Sequence, residues 1–175
     1  MAMRTKKILL AIITIGLLCH FSSCEKDDIC VDNDTPLLVI GFYDILDPDA
    51  EKDVTSLRIR AFGLDSISSD DTFTDRSTTD SIGIPLQIND PGISQFEFIS
   101  DSADDDEGDE AGNIDTLTFN YTVVEEFVSR ACGFIANYSE LDTSRTVYST
   151  DWIKRVEVIE STIENSNSIH VKIFH

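Results

Sequence analysis

Short runs in which apolar and polar residues alternate, separated by polar turns, fill most of this 175-residue chain. Successive side chains of a strand point to opposite faces, so a period of two predicts strands half covered by a core. The plainest case is residues 116–123: Leu117, Phe119, Tyr121 and Val123 share one face, and Thr116, Thr118, Asn120 and Thr122 the other. Leu57, Ile59 and Ala61 alternate with Arg58 and Arg60, and Phe96 and Phe98 flank Glu97. Ile82, Ile84, Leu86 and Ile88 alternate with Gly83, Pro85 and Gln87. Pro85 has no N–H to give to a ladder, which puts that strand at a sheet edge. Residues 37–42 are almost unbroken apolar and predict a central strand, with Gly41 marking a bulge. Residues 127–138 predict another strand after a short helical turn. Residues 153–163 and 168–174 predict a hairpin about the polar turn 164–167. In its second arm Ile169, Val171 and Ile173 face inward, and His170, Lys172 and Phe174 outward.

No internal repeat and no long apolar stripe at helical spacing interrupts this pattern. Eight or so short strands with turns between them predict an all-β chain folded as a single antiparallel β-sandwich, the immunoglobulin domain being one topology of that kind. Three connections are long and polar: 65–80, 101–115 and 139–150.

The first residues break the pattern. Arg4, Lys6 and Lys7 precede an apolar run of eleven residues, 8–18, well short of the roughly 20 that span a bilayer. Small residues Ser22 and Ser23 then precede Cys24, where a secretory signal is cut. A Cys after such residues looks like a bacterial lipobox, relaxed here because Phe21 replaces the usual aliphatic residue. Cys19 is the competing anchor, but Leu17 and Leu18 make a poor cleavage context; the alternative is an ordinary secretory signal. The expected organisation is therefore a signal peptide at 1–23, a lipid anchor and short tether at 24–29, and a β-sandwich domain at 30–175 carrying the acidic loop 101–115.

Cleavage before Cys24 leaves 152 residues with 10 basic and 33 acidic side chains, a formal charge of −23. Such a surface argues against nucleic acid, whose phosphates need Lys and Arg, and against anionic head groups. Of four cysteines, Cys19 leaves with the signal and Cys24 takes the lipid. Cys30 and Cys132 remain, an even pair in an oxidising compartment. They form either a disulfide, closing a loop worth about 4–5 kcal/mol in the chain-entropy model, or two buried thiols.

Chemistry is sparse elsewhere. The tract 101–115 holds eight carboxylates and no base, but the calcium-loop template fails: with Gly108 as its glycine, Ala103 falls on the first ligand position and Ile114 on the last. A run of like charges then reads as a solvated, mobile loop, and no metal or other cofactor is expected. The mature chain has two histidines, His170 and His175, both at its end. No nucleophile elbow or phosphate-binding glycine loop appears. A carboxylate-pair hydrolase acting on envelope polymers or glycans stays open only because acids are abundant. Tyr43, Tyr148 and Trp152 are the aromatics a glycan site would use. Asp-Ser/Thr-aliphatic triplets at Asp65, Asp80, Asp101 and Asp115 resemble acceptors of Bacteroidota O-glycosylation, with Ser66 and Ser102 the loop candidates.

Cys24-x-x-Asp27-Asp28-Ile29-Cys30, Thr35-Pro36-x-Leu38 leading into Phe42-Tyr43-Asp44, the stretch from Phe127 through Ser129-Arg130-Ala131-Cys132-Gly133 to Phe134, and the terminal His170-Val171-Lys172-Ile173-Phe174-His175 together resemble an uncharacterised Bacteroidota lipoprotein family. The resemblance implies no activity and agrees with the Cys30–Cys132 pairing. Glu25-Lys26-Asp27-Asp28 is similar to the signal that exports such lipoproteins to the outer face of the outer membrane. The expected protein is non-enzymatic, held in the outer membrane by acyl chains (palmitate among them) on Cys24, with the surface ranked ahead of the periplasmic face. It would act as an accessory or interaction module toward an outer-membrane protein or a glycan.

Overall fold

The computed structural model describes residues 35–63, 73–89, 91–145 and 151–175. Their regular structure is all strand, in nine segments: β1 Leu38–Tyr43, β2 Val54–Ala61, β3 Ser77–Thr79, β4 Ser81–Ile84, β5 Ile93–Ser100, β6 Asn113–Ser129, β7 Gly133–Arg145, β8 Arg155–Val158 and β9 Val171–Phe174. They form two sheets, of order β4-β1-β9-β8 and β3-β2-β5-β6-β7, packed as a sandwich. Every pairing is antiparallel except β1 with β9, where Ile40 lies beside Val171 and Phe42 beside Ile173 in parallel register. The three-strand meander β5-β6-β7 lies within one sheet, whereas an immunoglobulin domain distributes its strands as ABED and CFG.

The alternation does what it predicts in the inner layers. Leu57 and Ile59 of β2, Phe96 and Phe98 of β5, and Leu117, Phe119 and Tyr121 of β6 turn into the core. There they meet Leu38, Ile40 and Phe42 of β1, Ile82 and Ile84 of β4, and Val171 and Ile173 of β9. Aromatic rings lock the middle: Phe119 lies 6.1 Å from Phe96 and 6.5 Å from Phe98, and Tyr121 meets Tyr138 edge-on at 5.1 Å. Gly92 lies so close to this layer that a Cβ there would fall 2.2 Å from the Tyr121 carbonyl oxygen. Strand β1 is central, as its unbroken apolar run predicts, and β4 is an edge strand that stops just before Pro85.

Several expectations are corrected. Gly41 is in regular register with both neighbours, not in a bulge; its small size admits the Tyr43 ring and Ile169. The hairpin at 153–174 has β8 only four residues long, and its connection runs from 159 to 170. Ile163 bridges to Tyr138 instead of continuing the strand. Phe174 is buried beneath the Arg155 guanidinium, 3.8 Å from its ring centre. No helical turn precedes the strand at 127–138; Phe127 still belongs to the long β6, which ends at Ser129, and β7 begins at Gly133.

Candidate functional site

Three places depart from a plain sandwich. The first surrounds Asp115, inside β6 and level with Phe98 of β5. Its carboxyl is 1% exposed, and Oδ2 accepts the Ile153 N–H at 2.7 Å. Oδ1 is buried without a hydrogen-bond partner, and the Asp151 carboxyl, 6% exposed, stands beside it. Burial, and after it the neighbouring Asp151 charge, hold Asp115 above the usual carboxylate range against the Ile153 hydrogen bond. Arg145 closes the group by donating to the Ile153 carbonyl. Two carboxyls this close and this covered can hold a proton between them and pin the loop before β8 to β6. Neither is open to a substrate. No sequence signal separates these two acids from the other 31, because 35 residues of chain lie between them.

The second place is the acidic tract. It is solvated along most of its length, as its charge predicts, but it is folded as a hydrogen-bonded hairpin, with Asp104 bridged to Glu110 and the turn at Gly108 in the left-handed region (φ 89°). Two arginines fasten it. Arg58 reaches Asp75 and, at 3.1 Å, Glu110; Arg76 pairs with Asp104. Glu110 also accepts the N–H groups of Ala103 and Gly112, and these donors together with Arg58 outweigh burial and hold its carboxyl below the usual range. Ser102 is drawn into this network. It is 4% exposed; its Oγ donates to Glu110 at 2.8 Å and accepts from Arg76 at 3.0 Å. In the folded chain the Ser102 hydroxyl is therefore engaged on both sides. Ser66 lies outside the described residues. Among the described residues no three carboxylate, imidazole or thiol groups converge in a way that could hold a metal ion.

The third place is the outer half of the β6–β7 hairpin. A register shift lies where Tyr121 faces Glu140, the latter at φ 56°. Bulges bend a strand and re-aim it, and beyond this one β6 and β7 pair only with each other as a two-stranded arm, residues 122–137, whose base still packs on the core through Val123 and Ala136. Phe127 and Phe134 sit opposite one another, 56% and 68% exposed, with rings edge-on at 5.3 Å. Beneath the arm, Glu126, Val128, Ile135, Asn137 and Glu164 help to line a hollow of about 510 Å³. Cys132 sits in the turn at the tip, where its N–H donates to Ser129 Oγ at 3.0 Å. It is no free thiol. Cys24 and Cys30 lie outside the described residues.

Two of the three expected glycan aromatics lie among the described residues. Tyr43 is buried with the Lys172 ammonium 4.1 Å above its ring, Trp152 is half-buried and donates to the Phe98 carbonyl, and Tyr148 lies outside the described residues. His170, expected to point outward, is 0% exposed. Its Nδ1 accepts the Val39 N–H at 3.0 Å while its backbone N–H donates to the Val39 carbonyl, so residue and ring together complete the start of the β1–β9 ladder. Burial lowers its pKa, with Glu160 opposing. His175 stacks edge-on against Phe42 and Trp152.

No solved structure and no curated protein matches this chain. A family model does, over residues 56–175, a span that includes the buried acid pair, the fastened acidic hairpin and the arm but begins after the Cys24–Cys30 opening. The chain belongs to the family of unknown function DUF6452.

Proposed function

We propose that this protein is a lipid-anchored, non-enzymatic interaction module of the cell envelope, carried on Cys24 in the outer membrane of a Bacteroidota cell. The observation that carries the reading is the arm: a paired hairpin that extends beyond a filled sandwich and presents two large aromatics to solvent. Exposed apolar surface at the end of a projecting element is what a contact surface offers. The hydrolase alternative gains nothing from Asp115 and Asp151, because a substrate bond cannot enter between carboxyls so deeply covered. The anchor is supported by the signal anatomy and by the small residues before Cys24. A Cys30–Cys132 bond is supported by the even cysteine count of the mature chain and by the place of Cys132 in an accessible turn.

Growth with a labelled fatty-acid precursor tests the anchor. The wild type and Cys19→Ala should carry label, and Cys24→Ala should not; label that survives Cys24→Ala sinks the reading. Protease added to intact cells should degrade the protein, and full protection would move it to the periplasmic face. Mass spectrometry of the unreduced protein should find Cys30 linked to Cys132, and two alkylatable thiols there would refute the bond.

A further inference from the structure

The arm's tip has the composition of a bilayer interface, and we infer that it dips into the leaflet that holds the anchor, with Phe127 and Phe134 seated among the head groups. This deepens the anchored reading and rests on it. Reach is the first argument. Cys30 follows Cys24 by six positions, at most about 20 Å of extended chain, and a disulfide holds its two Cα atoms about 5.5 Å apart. Cys132 is then tied close to the acyl chains, and Phe134 is only two residues further on. The rest of the molecule has to rise from there, because β6 alone carries the chain sixteen residues away from the tip, about 50 Å at strand spacing.

Charge is the second argument. From Phe127 through Ala136 the arm has no acid; it holds both phenylalanines, Val128, Ile135 and Arg130. The acidic hairpin enters β6 at its opposite end, at Asn113. A body of formal charge −23 is repelled by anionic lipid. Standing on its acid-free tip is the orientation that keeps the fastened acidic end furthest from the surface. Rigidity is the third argument. The two rings are already paired across a formed hairpin, so little ordering entropy opposes their entry.

The chain has a single tryptophan, and its place supplies a control. Trp152 donates to the Phe98 carbonyl, level with Asp115, fourteen residues along β6 from the end of the strand. The test uses unreduced, lipidated mature protein in vesicles of phosphatidylethanolamine with a minor share of phosphatidylglycerol, part of the acyl chains brominated near the carbonyl. Wild-type emission should be unquenched. The Phe134→Trp variant should add a blue-shifted component quenched at least twofold by the brominated lipid, and Phe127→Trp should do the same. Indoles at both positions as insensitive to bromine as Trp152 would overturn the inference. So would indoles shielded from lipid and from aqueous acrylamide alike, because the tip would then be covered by the chain's own N-terminal residues or by a second copy. The intact mass separates the two layers of the argument. An unacylated Cys24 takes down the anchored reading together with the inference, whereas an acylated protein with unquenched indoles takes down the inference alone.

Discussion

The two halves of the β6–β7 hairpin are built from the same materials and meet different fates. The inner half places Leu117, Phe119 and Tyr121 at full or nearly full burial; the outer half leaves Val124, Phe127 and Phe134 in solvent. Both pair in antiparallel register, and both are rich in apolar and β-branched residues. What differs is the opposing layer. Opposite the inner half stands the sheet of β4, β1, β9 and β8. One side of the arm's base has only the segment around Ile163. The core runs a few residues past the bulge at Glu140, through Tyr138 and Ala136 with Val123 packed against them, and ends there. Alternation thus reports that a strand exists, and the extent of the layer facing it decides which part of it is core.

The sharpest way to break this comparison is to empty the inner half. Phe119→Ala removes a fully buried ring that touches Phe96 and Phe98, and truncations of this kind cost about 3–5 kcal/mol. Denaturant unfolding should show the loss as a lower midpoint with an unchanged slope. A cost under about 1 kcal/mol would mean that the inner half is no more core than the arm.

Much of the sandwich was legible in the residues, and the reasons are local. Residues 116–123, the Phe96–Phe98 pair and the Leu57–Ala61 run each carry their own period, and Pro85 marks its own edge. What was hidden depends on partners far away in the chain. His170 sits at an outward position by parity, yet the parallel pairing of β1 with β9 brings Val39 to its ring. The acidic tract looks like a loose loop until Arg58 and Arg76, 52 and 34 residues before Glu110, are folded against it. Asp115 and Asp151 meet only because the loop before β8 returns to β6. The arm was half legible: its strands were readable, but exposure depends on where the other sheet ends, and no residue in the arm reports that.

Asp115 gives the next largest effect. Asp115→Ala leaves the Ile153 N–H buried and unpaired, at a cost of about 1–3 kcal/mol. Asp115→Asn keeps an acceptor for that N–H and offers Asp151 a donor, so at neutral pH it should match or exceed the wild type. Because the folded-state pKa of Asp115 is raised, the folded chain binds the proton more readily than the unfolded one. Its contribution is full below the unfolded value, about 3.9, and is lost as pH rises through the folded value. Any advantage of Asp115→Asn should therefore shrink as the medium is acidified, and an advantage that grows would refute proton sharing.

His170 works in the opposite direction. Burial lowers its pKa, and Nδ1 has to stay unprotonated to accept the Val39 N–H. The unfolded chain takes up a proton near pH 6.5 while the folded one resists, so stability is complete above about pH 6.5 and declines as pH falls. The decline should be at most about 1.4 kcal/mol per pH unit for this one group, with His175, also lowered by burial, adding to it. Unfolding measured on either side of that pH should show a shallower decline in His170→Gln than in the wild type. Equal slopes would place the proton uptake elsewhere.

The smallest effect expected is the one that tests the arm itself. Phe134→Ala removes a ring that is 68% exposed and whose ring partner is the equally open Phe127. A cross-strand pair in that setting contributes roughly 0.2–1 kcal/mol, so unfolding of the protein freed of lipid should shift by no more than that. The contrast with Phe119→Ala is the quantity of interest, since the two substitutions delete the same side chain from the same pair of strands. A loss near 3 kcal/mol at Phe134 would show that something covers the tip in solution, and the outer half would then be core of another kind. A loss within the cross-strand range leaves the ring without a structural duty in the sandwich. That outcome would support the proposal that the two large aromatics at the end of the hairpin serve a surface outside the fold.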